Sequence, residues 1–397
     1  MRVLYLGANL RMHLSTHAAI ELRGLGLKSG LEQAGVEVVP LMAGDQVNHV
    51  EARAVYHKGL KQVLPAFLTN ALRDVYEIFY DWRLYHKIAP TVRDLHPDVI
   101  LQKHARYGQV GIRLGRRYGL PVFLDDITPV WEGERYGNRS LKLIARATRK
   151  KVFSRASGLI AVSPEMERQL LSEGVSAERI HFVPNGVDCA LFDPDGTAMQ
   201  IRRRYGLEGK LVVGYVGAFA GWHKVDLLLE AAPAVLEAVP EAHFLMVGDG
   251  SSDEFKRATH ALGLSEHFTF PGGVAHSEVP LYLNAMDMTV LPGTLQYMSP
   301  MKIYEYMAMG KPVVAPSGNL ITEAVVTPNE TGLLFESGNK DSLAKVIVLL
   351  LKEHELRQQM GGKARKLVQE NFTWFHQVQN LIEAFNVSLG LSASSSI

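Results

Sequence analysis

Cysteine is nearly absent: Cys189 is the single one in 397 residues. That excludes an intrachain disulfide and a cysteine-built zinc cluster, and it agrees with a reducing, cytoplasmic compartment. Excess charge is absent as well. The chain has 42 Lys and Arg against 41 Asp and Glu, a formal net charge of +1, so no global field draws it toward nucleic acid. Long apolar runs are missing too. The longest uncharged apolar run, Leu211 to Trp222 with its glycines counted, falls well short of the roughly 18 residues a spanning helix needs, so any membrane contact is expected to be peripheral. The opening run Met1 to Gly7 is too short for a signal peptide, lacks a small-residue cleavage site, and reads as a buried strand. No Gly-x-Gly-x-x-Gly follows it. Gly7-Ala8-Asn9-Leu10-Arg11 has the wrong spacing, and Gly24 and Gly26 come too late, which argues against a dinucleotide-dependent oxidoreductase.

What is present is an ordinary globular composition, 47% apolar, over a length that suggests two or three domains of about 150 residues. Short apolar runs rich in β-formers alternate with helical stretches. The first set is Val3 to Leu6, Val36 to Val39, Val99 to Leu101, Val122 to Leu124, Leu159 to Val162 and Ile180 to Val183. A second set follows: Leu211 to Val216, Phe244 to Val247, Phe268 to Phe270, Met288 to Leu291, Val313 to Ala315 and Leu333 to Phe335. Continuous rather than alternating apolar strands imply parallel sheets covered by helices on both faces. The reading is α/β, with two Rossmann-like halves. Turn formers cluster from Pro184 to Gly209, so domains are placed at residues 1–188 and 189–372, with a terminal helix in 373–397 packing back toward the first domain. The long crossover Glu51 to His96 reads as two helices, with Pro65 separating them or starting one.

Two turns carry residues suited to anions. After the strand ending at Val216 comes Gly217-Ala218-Phe219-Ala220-Gly221-Trp222-His223-Lys224, leading into a helical run. Small residues let the backbone approach a ligand, a helix N-terminus attracts anions, and His223 or Lys224 would suit a diphosphate. The plainer alternative is a tight turn with solvated side chains. Further on, Ser299-Pro300 opens a helix in which Lys302 and Glu305 share one face. Glu305 could accept two hydrogen bonds from a sugar diol; the alternative is a surface ion pair with Lys302, worth at most about 1 kcal/mol. Asp193-Pro194-Asp195 mimics a metal-binding Asp-x-Asp, but its setting among Pro and Gly favours a turn, and no metal is expected. The basic stretch Leu141 to Arg155 reads as a solvated connecting helix, with contact to anionic lipid headgroups as the alternative.

From Pro184 onward the sequence resembles the nucleotide-binding half of the family 4 glycosyltransferases, which have the GT-B fold. Val183-Pro184-Asn185-Gly186-Val187-Asp188, Val247-Gly248-Asp249-Gly250, Phe270-Pro271-Gly272-Gly273-Val274, the Ser299 to Ala315 block and Glu330-Thr331-Gly332-Leu333-Leu334 occur in the family's order. Pro97-Asp98-Val99-Ile100 and Ala156 to Ser163 extend the resemblance over most of the chain.

The resemblance implies two domains facing a central cleft and retaining transfer of a sugar, of hexosyltransferase type, from a nucleotide diphosphate sugar to an acceptor hydroxyl. That would place the protein in polysaccharide, glycolipid or other glycoconjugate biosynthesis. By the same resemblance, Glu305 would hold the donor ribose, Ser299, Pro300 and Lys302 would face the diphosphate, and Val274 would meet the base through its backbone. The family's phosphate-binding Arg and Lys map onto Ala218 and His223, so Gly217, His223 and Lys224 are all carried as donor-binding, and Lys224 also as catalytic. The family's second glutamate is replaced by Tyr297. A family histidine near the reacting carbon aligns close to Asp126, so Asp126 and His104 are the candidates to replace it; each could instead be structural, Asp125 and Asp126 as turn caps. Thr16 and His17 are assigned to the acceptor or phosphate side. No cofactor or nucleic-acid partner is expected. The partners are a nucleotide sugar and a glycan, lipid or small-molecule acceptor, with a cytoplasmic location and a peripheral membrane contact. A nucleotide-sugar epimerase of the same fold and a non-catalytic nucleotide-sugar-binding protein remain as alternatives.

Overall fold

The computed structural model describes residues 1–8, 19–46, 65–125, 141–194, 198–250 and 252–391. In chain order, the first half comprises β1 (Arg2–Gly7), α1 (Ala19–Gln33), β2 (Glu37–Met42), α2 (Ala66–Leu95), β3 (Val99–Lys103), α3 (Val110–Tyr118), β4 (Val122–Asp125), α4 (Lys142–Arg155), β5 (Gly158–Ala161), α5 (Pro164–Ser172) and β6 (Ile180–Phe182). The second half runs α6 (Ala198–Arg204), β7 (Leu211–Val216), α7 (Val225–Ala238), β8 (Ala242–Val247), α8 (Ser252–Ala261), β9 (Phe268–Gly272), α9 (Val279–Asn284), β10 (Met288–Val290), α10 (Met301–Ala308), β11 (Val313–Pro316), α11 (Leu320–Val325) and β12 (Gly332–Phe335). It closes with α12 (Lys340–Lys352), α13 (His354–Asn371), α14 (Trp374–Gln377) and α15 (Gln379–Ser388). Two compact units result: Met1–Pro184 with Gln377–Ile397, and Asn185–His376.

Each unit holds one six-stranded parallel sheet, and every strand coincides with one of the predicted apolar runs. The first sheet has the order β2-β1-β3-β4-β5-β6, the second β12-β11-β10-β7-β8-β9. In the second sheet the burial explains the unbroken hydrophobicity. Val212, Val216, Leu245 and Val247 belong to the core on one face, and Val213, Tyr215, Phe244 and Met246 to the core on the other. Successive side chains point to opposite faces, so a strand covered on both sides must be apolar at every position.

Pro65 starts a helix, as read from the sequence: it is the N-cap of the 30-residue α2, and the other helix expected in the long crossover would fall on residues 51–64, outside the described residues. One detail departs from the sequence reading. Asp125 is not a turn cap. It ends β4 fully buried, with Arg23 Nη2 at 2.9 Å and Lys103 Nζ at 2.9 Å. Arg23 also donates to the carbonyls of Val183 (3.0 Å) and Pro184 (3.4 Å). In the same unit, Phe385 of α15 packs edge-on against Phe123 of β4, with ring centroids 4.7 Å apart.

Candidate functional site

In an open parallel sheet, ligands bind beyond the carboxyl ends of the strands, where the strand order reverses. In the second unit that point lies between β7 and β10. Gly217 follows β7 directly, with φ 144°, and its N–H donates to Val247 O at 2.9 Å. A side chain at Gly217 would place its Cβ 2.5 Å from Lys302 Nζ. The opposing Gly248, φ 152°, is needed for a similar reason: its Cβ would fall 1.9 Å from Gly217 O. Both glycine motifs therefore let two strand ends close together under one lysine.

Lys302 stands on the first turn of α10. Its ammonium lies 3.3 Å from Tyr215 Oη, 3.3 Å from His223 Nε2 and 4.8 Å above the Tyr215 ring. Burial pulls its pKa down to about 7, against the opposing pull of Glu305. Burial, and then the charge of Lys302, push His223 down to about 3, so its imidazole is neutral and able to accept from the ammonium. One turn further on α10, Tyr306 Oη donates to Val216 O at 3.0 Å and accepts from Val216 N–H at 2.8 Å, fixing the helix to the end of β7. The arrangement is a cation held at a strand end and a helix start, partly stripped of water. A diphosphate arriving there would restore the solvation that the ammonium lacks.

Glu305 does not form the surface ion pair with Lys302 that the spacing allowed. It is buried, and its Oε1 lies 2.8 Å from His276 Nε2. His276 in turn packs edge-on against Phe192, with centroids 5.3 Å apart. One carboxylate oxygen is thus oriented by the histidine, which leaves the other to accept from a diol. Val274, half-buried against the core, sits on the same connection, between β9 and the turn His276–Glu278.

Ser299 and Pro300 precede α10, whose N-cap is Pro300. Ser299 is buried and its hydroxyl accepts from Asn185 N–H at 3.0 Å, so it also anchors the Pro184-Asn185-Gly186 turn. The strap before Ser299 is held from α11: Asn319 Nδ2 donates to the carbonyls of Leu295 (2.9 Å), Gln296 (3.2 Å) and Met298 (3.1 Å). Its Oδ1 accepts from Thr322 N–H at 2.8 Å and caps α11. Tyr297, in the place of the family's second glutamate, is buried within that strap. Lys224 has a left-handed backbone, φ 47°, and caps α7. Its stem lies beside Gly293 and its exposed amine reaches toward Gly338. The second unit therefore gathers Gly217, His223 and Lys302, with Glu305 one turn along α10; Lys224 stands on the same turn as His223.

In the first unit the strand order reverses between β1 and β3. His104 follows β3; its N–H donates to Asp125 O at 3.1 Å and its ring meets Phe153 edge-on at 5.2 Å. Asp126, Thr16 and His17 lie outside the described residues. Among the described residues, no group of three or more His, Cys, Asp and Glu is placed to hold a metal ion. Sequence reading missed His276, Tyr306, Asn319 and the Arg23, Asp125 and Lys103 triad. None belongs to a spaced pattern, and each is defined only by a partner far along the chain.

Comparison with known proteins adds to this geometry. A family model described as "Glycosyl transferase 4-like domain" matches residues 20–186, and one described as "Glycosyl transferases group 1" matches residues 199–367. A GDP-mannose-dependent alpha-mannosyltransferase of Mycolicibacterium smegmatis is 29% identical over 76% of this chain and 76% of its own length. A GDP-mannose-dependent alpha-(1-6)-phosphatidylinositol monomannoside mannosyltransferase of Mycobacterium tuberculosis is 27% identical over 59% of this chain, a match spanning 63% of that relative. Among solved structures, Anabaena HepE in complex with UDP and glucose superposes with a TM-score of 0.71 at 19% identity, covering 97% of this chain and 99% of that one. Sucrose-phosphate synthase from Thermosynechococcus elongatus gives 0.70 at 18% identity, covering 98% and 99%; at such identities the likeness shows the fold, which is GT-B. Motifs in order, two matching family models and a shared fold agree: the chain belongs to the family 4 glycosyltransferases.

Proposed function

We propose that the protein moves a hexosyl group from a nucleoside diphosphate sugar to an acceptor hydroxyl, with retention of configuration, in glycoconjugate biosynthesis. The observation that carries the reading is Lys302, poised with neutral His223 over Gly217 at the switch point of the second sheet, with Glu305 one turn away. Glu305, oriented by His276, accepts from the ribose diol. Val274 meets the base through its backbone. The diphosphate lies at the start of α10, where Ser299, Pro300 and Lys302 leave the first-turn amides available, and Lys224 adds a second cation.

In the reaction, the bond from the anomeric carbon to the β-phosphate oxygen breaks, and a bond from that carbon to the acceptor oxygen forms on the same face. The acceptor proton passes to the departing phosphate oxygen. Negative charge grows on the diphosphate as the bond lengthens, so Lys302 and the α10 amides bind the transition state more tightly than the ground state. No metal and no covalent enzyme intermediate is invoked. On the acceptor side, His104 follows β3 at the switch point of the first sheet, and Asp126, Thr16 and His17 complete the proposed set. The location is cytoplasmic, with peripheral contact at a membrane and a glycan, lipid or small molecule as acceptor.

A thermal-shift panel, beginning with GDP-mannose and UDP-glucose because relatives are named for or bound to those nucleotides, tests the donor site: binding to the folded chain raises its melting temperature. Product analysis in the presence of a chelator then tests the chemistry. Isomerisation of donor alone would mean an epimerase, and binding without nucleotide release with any acceptor would mean a non-catalytic protein; either overturns the transferase reading.

A further inference from the structure

Two lysines drawn into the protein have partners that hold their charge. Lys103 meets the Asp125 carboxylate at 2.9 Å, and Lys311 donates to the carbonyls of Asn284 (3.2 Å) and Met286 (2.7 Å). Lys302 has neither. Its amine touches a phenol and an imidazole, Tyr215 Oη and His223 Nε2, each at 3.3 Å. Burial keeps the phenol protonated, and its proton is committed to Ala218 O at 2.7 Å. The carboxylate on the next turn of the same helix, Glu305, turns its Oε1 to His276 instead. Among the described residues the amine therefore has no counter-ion in contact.

An amine so placed gives up its proton readily, and burial has brought its pKa to about 7. At about pH 7.5, roughly three-quarters of the molecules then carry a lone pair on Nζ, against about one in a thousand for an amine at the usual lysine value of about 10.4. A neutral lysine amine is a nucleophile. The same amine stands where an anion is drawn in. It belongs to the first turn of α10, whose leading N–H groups have no helical partner. Gly217 leaves the space beside it bare, since a Cβ there would fall 2.5 Å from Nζ. The residue as a whole is half-buried, not sealed, so a small molecule reaches it. A compound with a phosphate at one end and an electrophilic carbon at the other would be held by its phosphate beside the nucleophile, which makes the reaction effectively unimolecular. Acyl phosphates have that composition.

We infer that Lys302 is a covalent modification site, acylated by acyl phosphates seated at the start of α10. Nζ bonds to the acyl carbon, the bond from that carbon to the phosphate oxygen breaks, and phosphate leaves with the electron pair. The proton released by the amine goes to the departing phosphate, so the products are an amide on Nζ and inorganic phosphate. The amide carries no charge, and the donor diphosphate loses its cation. The inference rests on the placement of that diphosphate at α10 and adds a means of switching the site off.

The full chain, without nucleotide, is incubated with acetyl phosphate at that pH, and acetylation of each lysine is followed by peptide mass spectrometry. Lys302 is expected to react about ten-fold or more faster than the exposed Lys345 and Lys363, its lower basicity offsetting part of its larger neutral fraction. Excess inorganic pyrophosphate should abolish that advantage, and p-nitrophenyl acetate, which has no phosphate to seat, should show much less of it. The donor-induced rise in melting temperature should disappear in step with acetylation at Lys302. Acetylation of Lys302 no faster than of Lys345 and Lys363, or an equal advantage with p-nitrophenyl acetate, would overturn the inference. The two readings fail separately. A nucleotide sugar that stabilises the protein while acetyl phosphate shows no preference for Lys302 sinks only this one. Preferential, pyrophosphate-sensitive acetylation in a protein that no nucleotide sugar stabilises sinks only the donor reading.

Discussion

Donor affinity should fall as pH rises, and Lys302 sets both the direction and the size. Burial has brought its pKa down to about 7, so near neutrality the free protein carries the ammonium only part of the time. A diphosphate in contact restores it, which means that binding takes up a proton. If only the charged form binds, the competent fraction falls from about nine-tenths near pH 6 to about one-hundredth near pH 9. Affinity then weakens roughly a hundred-fold, or about 2.7 kcal/mol. His223, already neutral with a pKa of about 3, contributes no slope in that window. A nucleoside diphosphate sugar has no terminal phosphate monoester of the kind whose second proton titrates near about 6, so its own charge stays constant. Stability of the unliganded protein should move the other way. Between about 7 and 10.5 the unfolded lysine holds more protons than the folded one, so this group's contribution rises with pH. Titration calorimetry in buffers of different ionisation enthalpy counts the protons, and Lys302→Met should remove both slopes. A flat affinity across this range, or the same slope in Lys302→Met, would refute the argument.

Gly217→Ala should weaken donor binding about ten-fold and lower the melting temperature, because the new Cβ meets Lys302 Nζ in a backbone region costing about 1–3 kcal/mol for a side chain; full donor affinity would show that this lysine is not positioned there. Glu305→Ala and His276→Ala should each weaken donor binding about ten-fold or more, the size of a hydrogen bond to a charged group, and a 2′-deoxyribose donor should lose less in both variants than the ribose donor does. Retained affinity in His276→Ala would remove it as a positioning residue. Asp125→Asn leaves Arg23 and Lys103 buried without their shared anion and should cost about 3–5 kcal/mol, read as a shift in the urea midpoint. Burial alone would raise the Asp125 pKa, but Arg23 and Lys103 bring it down to about 2, so its contribution is present above 3.8 and lost as pH falls toward 2. An unchanged midpoint at neutral pH would contradict this.

The sheets were legible because a strand buried on both faces must be apolar at every position, as Val212 to Val216 and Phe244 to Val247 are. Gly217 and Gly248 were legible for a comparable reason: the backbone tolerates no side chain at either place. Lys302 and Glu305 were found, and of the two readings left open for them the ion pair is the one that fails. Three-residue spacing suggests a pair, whereas each is drawn to a partner off the helix, His223 and Tyr215 for the lysine and His276 for the glutamate. Asp125 was taken for a turn residue because no local pattern signals that Arg23, about a hundred positions earlier, and Lys103 on the neighbouring strand meet it in the interior. Periodicity reports which face is covered. It does not report which long side chains converge on one point.

The Asn319 clamp limits how this protein could acquire a new substrate. Three carbonyls of the Leu295 to Met298 strap share one amide, so lengthening or reshaping that strap would abandon several bonds at once and loosen the cap of α11 as well. A swap at the exposed Gln296 disturbs none of them. Evolution, or an engineer, altering recognition here therefore has side-chain exchange as the easy route and insertion as the hard one.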